Sequence, residues 1–276
     1  MRNALALASI LFCIGSIETS LAADVPDEPI AAPQPVATDE WVVSTAPYFW
    51  ITFWEGDMTI NGQTVDMSGT NVFDLLDAGD LRFPPLVNYF EARKGRWGGY
   101  LDTTFLGLEF APSDISLGPG PGITALGLDF TYVLVNAGLI YTAAEWVQPS
   151  GIVAFDLMAG GRYTYYDVDL GLTVPIIGPV TFSDTLDWWD VTLGARLRGQ
   201  YDNGWSYNIR GDIAGAGLES DFSVQAIANV GRDFRLGRVD MSAIAGYRLL
   251  YQDWSDGADA VDLLSHGPLV GLRINF

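Results

Sequence analysis

Arg196 and Arg198 are separated by a single residue, and so are Arg210 and Asp212. Side chains two positions apart share one face of an extended strand. Asp156, Arg162, Asp190, Arg248 and Arg273 occupy matching positions in similar stretches. Guanidinium and carboxylate groups gathered on one face can do two things. They can pair and fill an interior, because an unpaired charge in a dry site costs several kcal/mol. Alternatively, they can leave an arginine-lined constriction that favours anions. The candidate constriction residues are Arg162, Arg196, Arg198, Arg210, Asp212, Arg248 and Arg273.

Other chemistry has less to build on. The single histidine, His266, follows Ser265. Adjacent strand residues point to opposite faces, so the two are poorly placed as base and nucleophile. No catalytic residue is identified, and no enzymatic activity is expected. Asp253, Asp256, Asp259 and Asp262 recur every third residue, as do Asp74, Asp77 and Asp80. They are weak candidates for Ca²⁺ or Mg²⁺ and match no calcium-loop spacing, so no metal or other cofactor is expected. Gly118 to Gly122 reads GPGPG, a turn without the following Lys of a phosphate loop.

The composition restricts the setting. The 276 residues carry 34 acidic and 14 basic side chains, a formal charge of −20, yet 49% are hydrophobic. That sign excludes a nucleic-acid binder, which needs Lys and Arg for phosphate contacts. One cysteine excludes a disulfide scaffold. A chain this acidic and this apolar is expected to turn its apolar surface toward something other than water.

The N-terminus reads as a targeting segment. Arg2 precedes an apolar stretch from Ala4 to Ile17, and Ser20-Leu21-Ala22 supplies small residues for signal-peptidase cleavage. Residues 1–22 are therefore expected to be a secretory signal peptide, too short to span a bilayer as a helix. Cys13 follows Phe12, not a small residue, which argues against lipoprotein cleavage there. Residues 23–40 are expected to form a Pro-rich, acidic periplasmic leader, and 41–276 a single domain.

The elements that must position the charges alternate with a period of two. Val191, Leu193, Ala195, Leu197 and Tyr201 fall on one face, opposite Asp190, Thr192, Arg196, Arg198 and Gln200. Asp202-Asn203-Gly204 then marks a hairpin. The same pattern predicts strands at 41–54, 82–92, 97–110, 124–142, 151–168, 187–201, 205–216, 222–234, 239–254 and 267–276. Connections after the second, sixth and eighth are short, whereas those after the first, third, fifth and ninth are long. Alternating short and long hairpins put all long loops at one end, as in bacterial outer-membrane barrels. A soluble barrel would show the same alternation inside out. The export signal, the loop asymmetry and a terminal aromatic favour the membrane. Val270, Leu272 and Ile274, alternating up to the terminal Phe276, resemble the sorting signal of outer-membrane barrels. Trp41, Trp97, Trp189, Tyr201, Trp205, Tyr251 and Trp254 lie near strand ends, where an interfacial girdle is expected.

Several segments carry a family resemblance. These are Phe90-Glu91-Ala92-Arg93-Lys94-Gly95-Arg96-Trp97-Gly98, Gly194-Ala195-Arg196-Leu197-Arg198 and Arg210-Gly211-Asp212. Ala46-Pro47-Tyr48-Phe49-Trp50, Asp74-Leu75-Leu76, Ala245-Gly246-Tyr247-Arg248 and His266-Gly267-Pro268 through Phe276 join them. Together they resemble a poorly characterised family of proteobacterial outer-membrane β-barrel proteins. Leu249-Leu250-Tyr251-Gln252-Asp253 departs mildly from a tyrosine-rich stretch usual there. The resemblance implies architecture and no established activity.

The expected fold is all-β, a transmembrane antiparallel up-and-down barrel of about ten strands, with eight to twelve within reach. Both termini are expected in the periplasm and the long acidic loops outside the cell. A structural or surface-interaction role is expected first, and a narrow porin-like channel for small anionic solutes second. Expected partners are outer-membrane lipid and lipopolysaccharide, the barrel-assembly machinery during biogenesis and, for the channel reading, a small anionic solute.

Overall fold

The computed structural model describes residues 40–72, 81–110, 124–174, 178–215, 219–237 and 239–276. The expected signal peptide, the leader before Glu40, the Asp74–Asp80 series with its Asp-Leu-Leu, and the GPGPG turn lie outside the described residues. Thirteen strands follow in order. They are β1 (Trp41–Trp50), β2 (Phe53–Ile60), β3 (Gln63–Asp66), β4 (Thr70–Asn71), β5 (Leu81–Lys94), β6 (Trp97–Phe110) and β7 (Thr124–Gln148). Then come β8 (Gly151–Val174), β9 (Gly178–Tyr201), β10 (Trp205–Gly215), β11 (Phe222–Leu236), β12 (Val239–Asp256) and β13 (Asp259–Asn275).

Ten of these are barrel staves, each antiparallel to its neighbours: β1 and β5 through β13. The barrel closes where β1 pairs β13, from Ser44↔Asn275 to Trp50↔Leu269. Above that seam β2 continues the first stave along β13, from His266↔Phe53 to Ala260↔Thr59. The stave is interrupted at Ile51 and Thr52. There the Ile51 N–H donates to the Pro268 carbonyl at 2.9 Å. Gly267 makes this crossing feasible, because its φ is +155° and a Cβ would sit 1.8 Å from the Ile51 carbonyl oxygen.

The staves join by short turns at one end, at Gly95–Arg96, Pro149–Ser150, Asp202–Gly204 and around Gly237. At the opposite end β8–β9 and β12–β13 rise as long hairpins. Two expected loops are strand instead. β8 and β9 run to Val174 and from Gly178, and β12 and β13 meet at a tight turn around Gly257–Ala258. The long segment after the first stave likewise contains β2, β3 and β4.

The reason lies in polarity. Along β9, from Trp189 to Leu197, outward residues are apolar, including Trp189, Val191 and Leu193, while Asp190, Thr192 and Arg196 are buried inside. Past Trp189 toward the hairpin end the sign inverts. Leu186 and Trp188 are buried inside, and Asp187 and Thr185 are exposed outside. β8 inverts at the same level, with Tyr166 and Val168 buried and Asp167 and Asp169 outside. β13 inverts too, with Val261 and Leu263 inside and Asp262 exposed. A barrel wall that is apolar outside and polar inside is a membrane wall. Its hairpin extensions are built like a soluble protein.

Trp41, Trp97 and Trp205 are exposed at the short-turn end, and Trp189 at the upper edge of the apolar belt. Residues 190–200 lie between Trp189 and Tyr201, matching the about 9–11 residues of a tilted transmembrane strand. Trp254 is a correction. It is 7% exposed, points inward and stacks on Trp188 at 4.9 Å, so it belongs to the core. Leu193 is 59% exposed within the belt. Leu193→Arg is expected to destabilise the folded barrel by about 2–4 kcal/mol in urea titrations in lipid vesicles. An unchanged midpoint would contradict a lipid-facing wall.

Candidate functional site

The interior is layered. Nearest the short turns, Asp156 of β8 has no solvent exposure. It accepts from Arg93 Nη2 at 3.1 Å, Arg196 Nη2 at 2.8 Å, Arg198 Nε at 3.0 Å and Thr142 Oγ1 at 2.7 Å. Arg196 also grips Glu91 with both Nη atoms, at 2.5 and 3.1 Å. Tyr89 Oη donates to the same Glu91 at 2.6 Å. Charge-assisted, two-pronged contacts of this kind are the strong ones, and they satisfy charges that cannot be left bare.

A second layer sits at mid-barrel. Arg248 donates to Tyr48 Oη at 2.7 Å and to Gln225 Oε1 at 2.7 Å, and lies 3.7 Å from Asp102. Its guanidinium rests over the Trp50 ring at 4.7 Å. Arg210 bridges Asp102 and Asp212, each at 3.4 Å. Arg162 pairs with Asp212 and donates to Asn136 Oδ1 at 2.7 Å and Ser223 Oγ at 2.6 Å. Beyond this layer the interior turns apolar and aromatic, around Leu134, Tyr132, Tyr166, Trp188, Leu250 and Trp254.

The structure brings most of the sequence-selected residues together. Arg162, Arg196, Arg210, Asp212 and Arg248 join the two networks, while Arg198 and Arg273 line a cavity of about 290 Å³ at the short-turn end. Arg162 and Arg248 each show 0% exposure and are held on side chains, not around a hole. Asp190 accepts from Trp188 Nε1 and Ser220 Oγ, at 3.1 and 2.6 Å. Glu91, Arg93 and Asp102 were not selected from sequence. Their signal is the weak alternation Tyr89-Glu91-Arg93 on β5 and Tyr100-Asp102-Thr104 on β6.

The other candidates are dispersed. Ser265 is buried inward, and His266 lies on the opposite face with Nδ1 2.6 Å from Tyr247 Oη. Asp253 faces Asp262 across the β12–β13 hairpin, and Asp256 faces Asp259. Asp262 accepts from Tyr251 Oη at 2.9 Å, and Asp259 from the Asn61 N–H at 2.5 Å. Among the described residues no group of three or more His, Cys, Asp or Glu is placed to hold a metal ion. Val270, Leu272, Ile274 and Phe276 alternate on the outer face of β13 and at its end.

Asp156→Asn would strip the shared acceptor from three guanidiniums. A loss of about 3–5 kcal/mol is expected, the scale of breaking a buried pair. Adding Arg196→Met should recover part of it, because an uncompensated charge is removed. Urea titrations of the single and double variants check this, and strict additivity would contradict the network.

No family model matches the chain, and no curated protein sequence does. Solved structures match it at low identity and low TM-score. Ail, the attachment invasion locus protein of Yersinia pestis, is 12% identical, covering 86% of this chain and 97% of its own, with a TM-score of 0.34. The outer membrane protein AlkL is 12% identical over 93% and 97% of the two chains, with a TM-score of 0.35. The outer membrane protease OmpT of Escherichia coli is 9% identical over 88% and 99%, with a TM-score of 0.41. The wall's polarity and closure place this chain in the architectural class of outer-membrane β-barrels, and no narrower family follows.

Proposed function

We propose that the protein is a non-conducting outer-membrane barrel that acts through an acidic crown of β-hairpins at the cell surface, without catalysis. The observation that carries this reading is the filled interior. At mid-barrel Arg162 and Arg248 each show 0% exposure, and beyond them Leu134, Leu250 and the Trp188–Trp254 stack fill the interior. Conduction would require the Arg248 and Arg162 layer to let go of its partners, at several kcal/mol per unpaired charge.

The crown supports the interaction role. Its outward residues include Glu55, Asp57, Asp66, Asp187, Asp256 and Asp262, all exposed, and they outnumber Arg82, the basic residue that the strand order brings to that end. Basic residues gather at the short turns, at Lys94, Arg96, Arg232 and Arg235. A surface of one sign steers partners of the opposite sign. Cationic segments, or divalent cations bridging to lipopolysaccharide phosphates, fit it. Short turns and termini would then be periplasmic, as is usual for such barrels. The outward alternation ending at Phe276 would serve the assembly machinery.

Two measurements test this. In planar bilayers the purified protein should give no discrete conductance steps. Steps that disappear in Arg196→Ala or Arg248→Ala would favour the channel for anionic solutes. On intact cells, Ala258→Cys in the β12–β13 turn should react with a membrane-impermeant maleimide, whereas Asp202→Cys should not. The reverse pattern would invert the orientation.

A further inference from the structure

The cavity at the short-turn end is not absorbed by this role. Its mouth is lined by Val42, Gln200 and Asn275, all exposed, and its floor by Tyr48, Asp102 and Arg210. It ends at the mid-barrel layer. The lining carries five guanidiniums, from Arg93, Arg196, Arg198, Arg210 and Arg273. Against them stand Glu91 and Asp102 in the lining and Asp156, which pairs three of the five. Arg210 also pairs with Asp212, which Arg162 shares, so with Arg248 the two layers set seven guanidiniums against four carboxylates, an excess of three formal positive charges. Asp102 is moreover shared with Arg248.

The excess can be located. Arg273 makes no hydrogen bond or ion pair with another described residue within bonding distance, although Glu91 and Asp233 lie near enough to act on it electrostatically. Arg198 engages Asp156 through Nε alone and leaves its side chain 35% exposed. Arg210 keeps an Nε that is buried without a partner among the described residues. The remaining wall is apolar or aromatic, with Ala46, Ile227, Ile244, Leu269 and Tyr207. The spare guanidiniums thus share the cavity with apolar lining. A blind cleft with convergent donors and an apolar side has the form of a small-ligand site.

We propose that this cavity binds a small organic anion, a single carboxylate on a compact apolar body, entering from the short-turn end. The carboxylate sits between Arg198 and Arg273, where each guanidinium has free donors that fit a planar acceptor. The body packs on Ile227, Ile244 and Leu269. The cavity's size limits that body to about one aromatic ring or a short alkyl chain. The site is independent of the surface role, and it does not require conduction.

Benzoate is the probe, titrated by calorimetry into the barrel folded in detergent, with folding checked by heat-modifiable migration. Saturable binding in the millimolar range or tighter is expected. The neutral isostere benzamide, and inorganic phosphate, which lacks the apolar body, should each bind at least about tenfold more weakly. Arg273→Gln and Arg198→Gln should each weaken benzoate by about tenfold or more. Should either variant fail to fold, Ser44→Phe, which fills the mouth, should block binding while leaving the ion pairs intact. The proposal is overturned if benzoate does not saturate, if benzamide binds equally well, or if the folded variants bind benzoate unchanged. Phosphate binding as tight as benzoate would overturn the apolar half of the site. None of these results bears on conductance or on the crown.

Discussion

Hydrocarbon offers no hydrogen bonds, and that constraint organises the molecule. Every backbone donor and acceptor at membrane depth must find a partner within the protein, and a closed sheet does this without an edge. The β1–β13 pairing is therefore the contact on which the other staves depend. It brings the first and last staves side by side. Side chains alternate, so committing Val191 and Leu193 to lipid commits Asp190, Thr192 and Arg196 to the interior.

The interior then has to solve its own problem. Charges brought inside are satisfied by each other, with Asp156 and Asp102 each serving more than one arginine. Networks of this type gain strength from their low-dielectric surroundings and lose heavily when one member is removed. They also occupy space. The same residues that make the wall polar inside fill the mid-barrel, so electrostatic satisfaction and the filling of the interior have one cause. Past the membrane edge the constraint lapses. Aromatic and aliphatic side chains fill the interior, carboxylates turn to water, and the hairpins stand clear of the lipid.

Much of this was legible in the sequence, and the exceptions are physical. The clean alternation of residues 190–201 placed β9 and its charges, and Asp202-Asn203-Gly204 placed the next turn. The hairpin extensions were read as loops because the apolar face changes sides there. Leu186, Val261 and Leu263 keep the period of two, but they point to the interior instead of to lipid. Trp254 was misplaced for the same reason. In the β12–β13 hairpin the aspartates repeat every third residue because the turn at Gly257 resets the phase, which hides two strands. Glu91, Arg93 and Asp102 escaped because their strands alternate weakly, and their partners lie on other strands. The cavity could not be read at all, since it depends on which arginines remain under-partnered after the network has formed.

The inversion of polarity at the membrane edge along β8, β9 and β13 is the feature on which the rest turns. Its most direct test is a spin-label scan of outward positions on β9 in lipid vesicles, reading accessibility to oxygen and to a water-soluble nickel complex. Labels at 191, 193, 195 and 197 should favour oxygen, labels at 183, 185 and 187 should favour nickel, and the crossover should fall near 189. Nickel accessibility at every outward position would contradict the membrane wall, and a crossover well away from 189 would contradict the inversion.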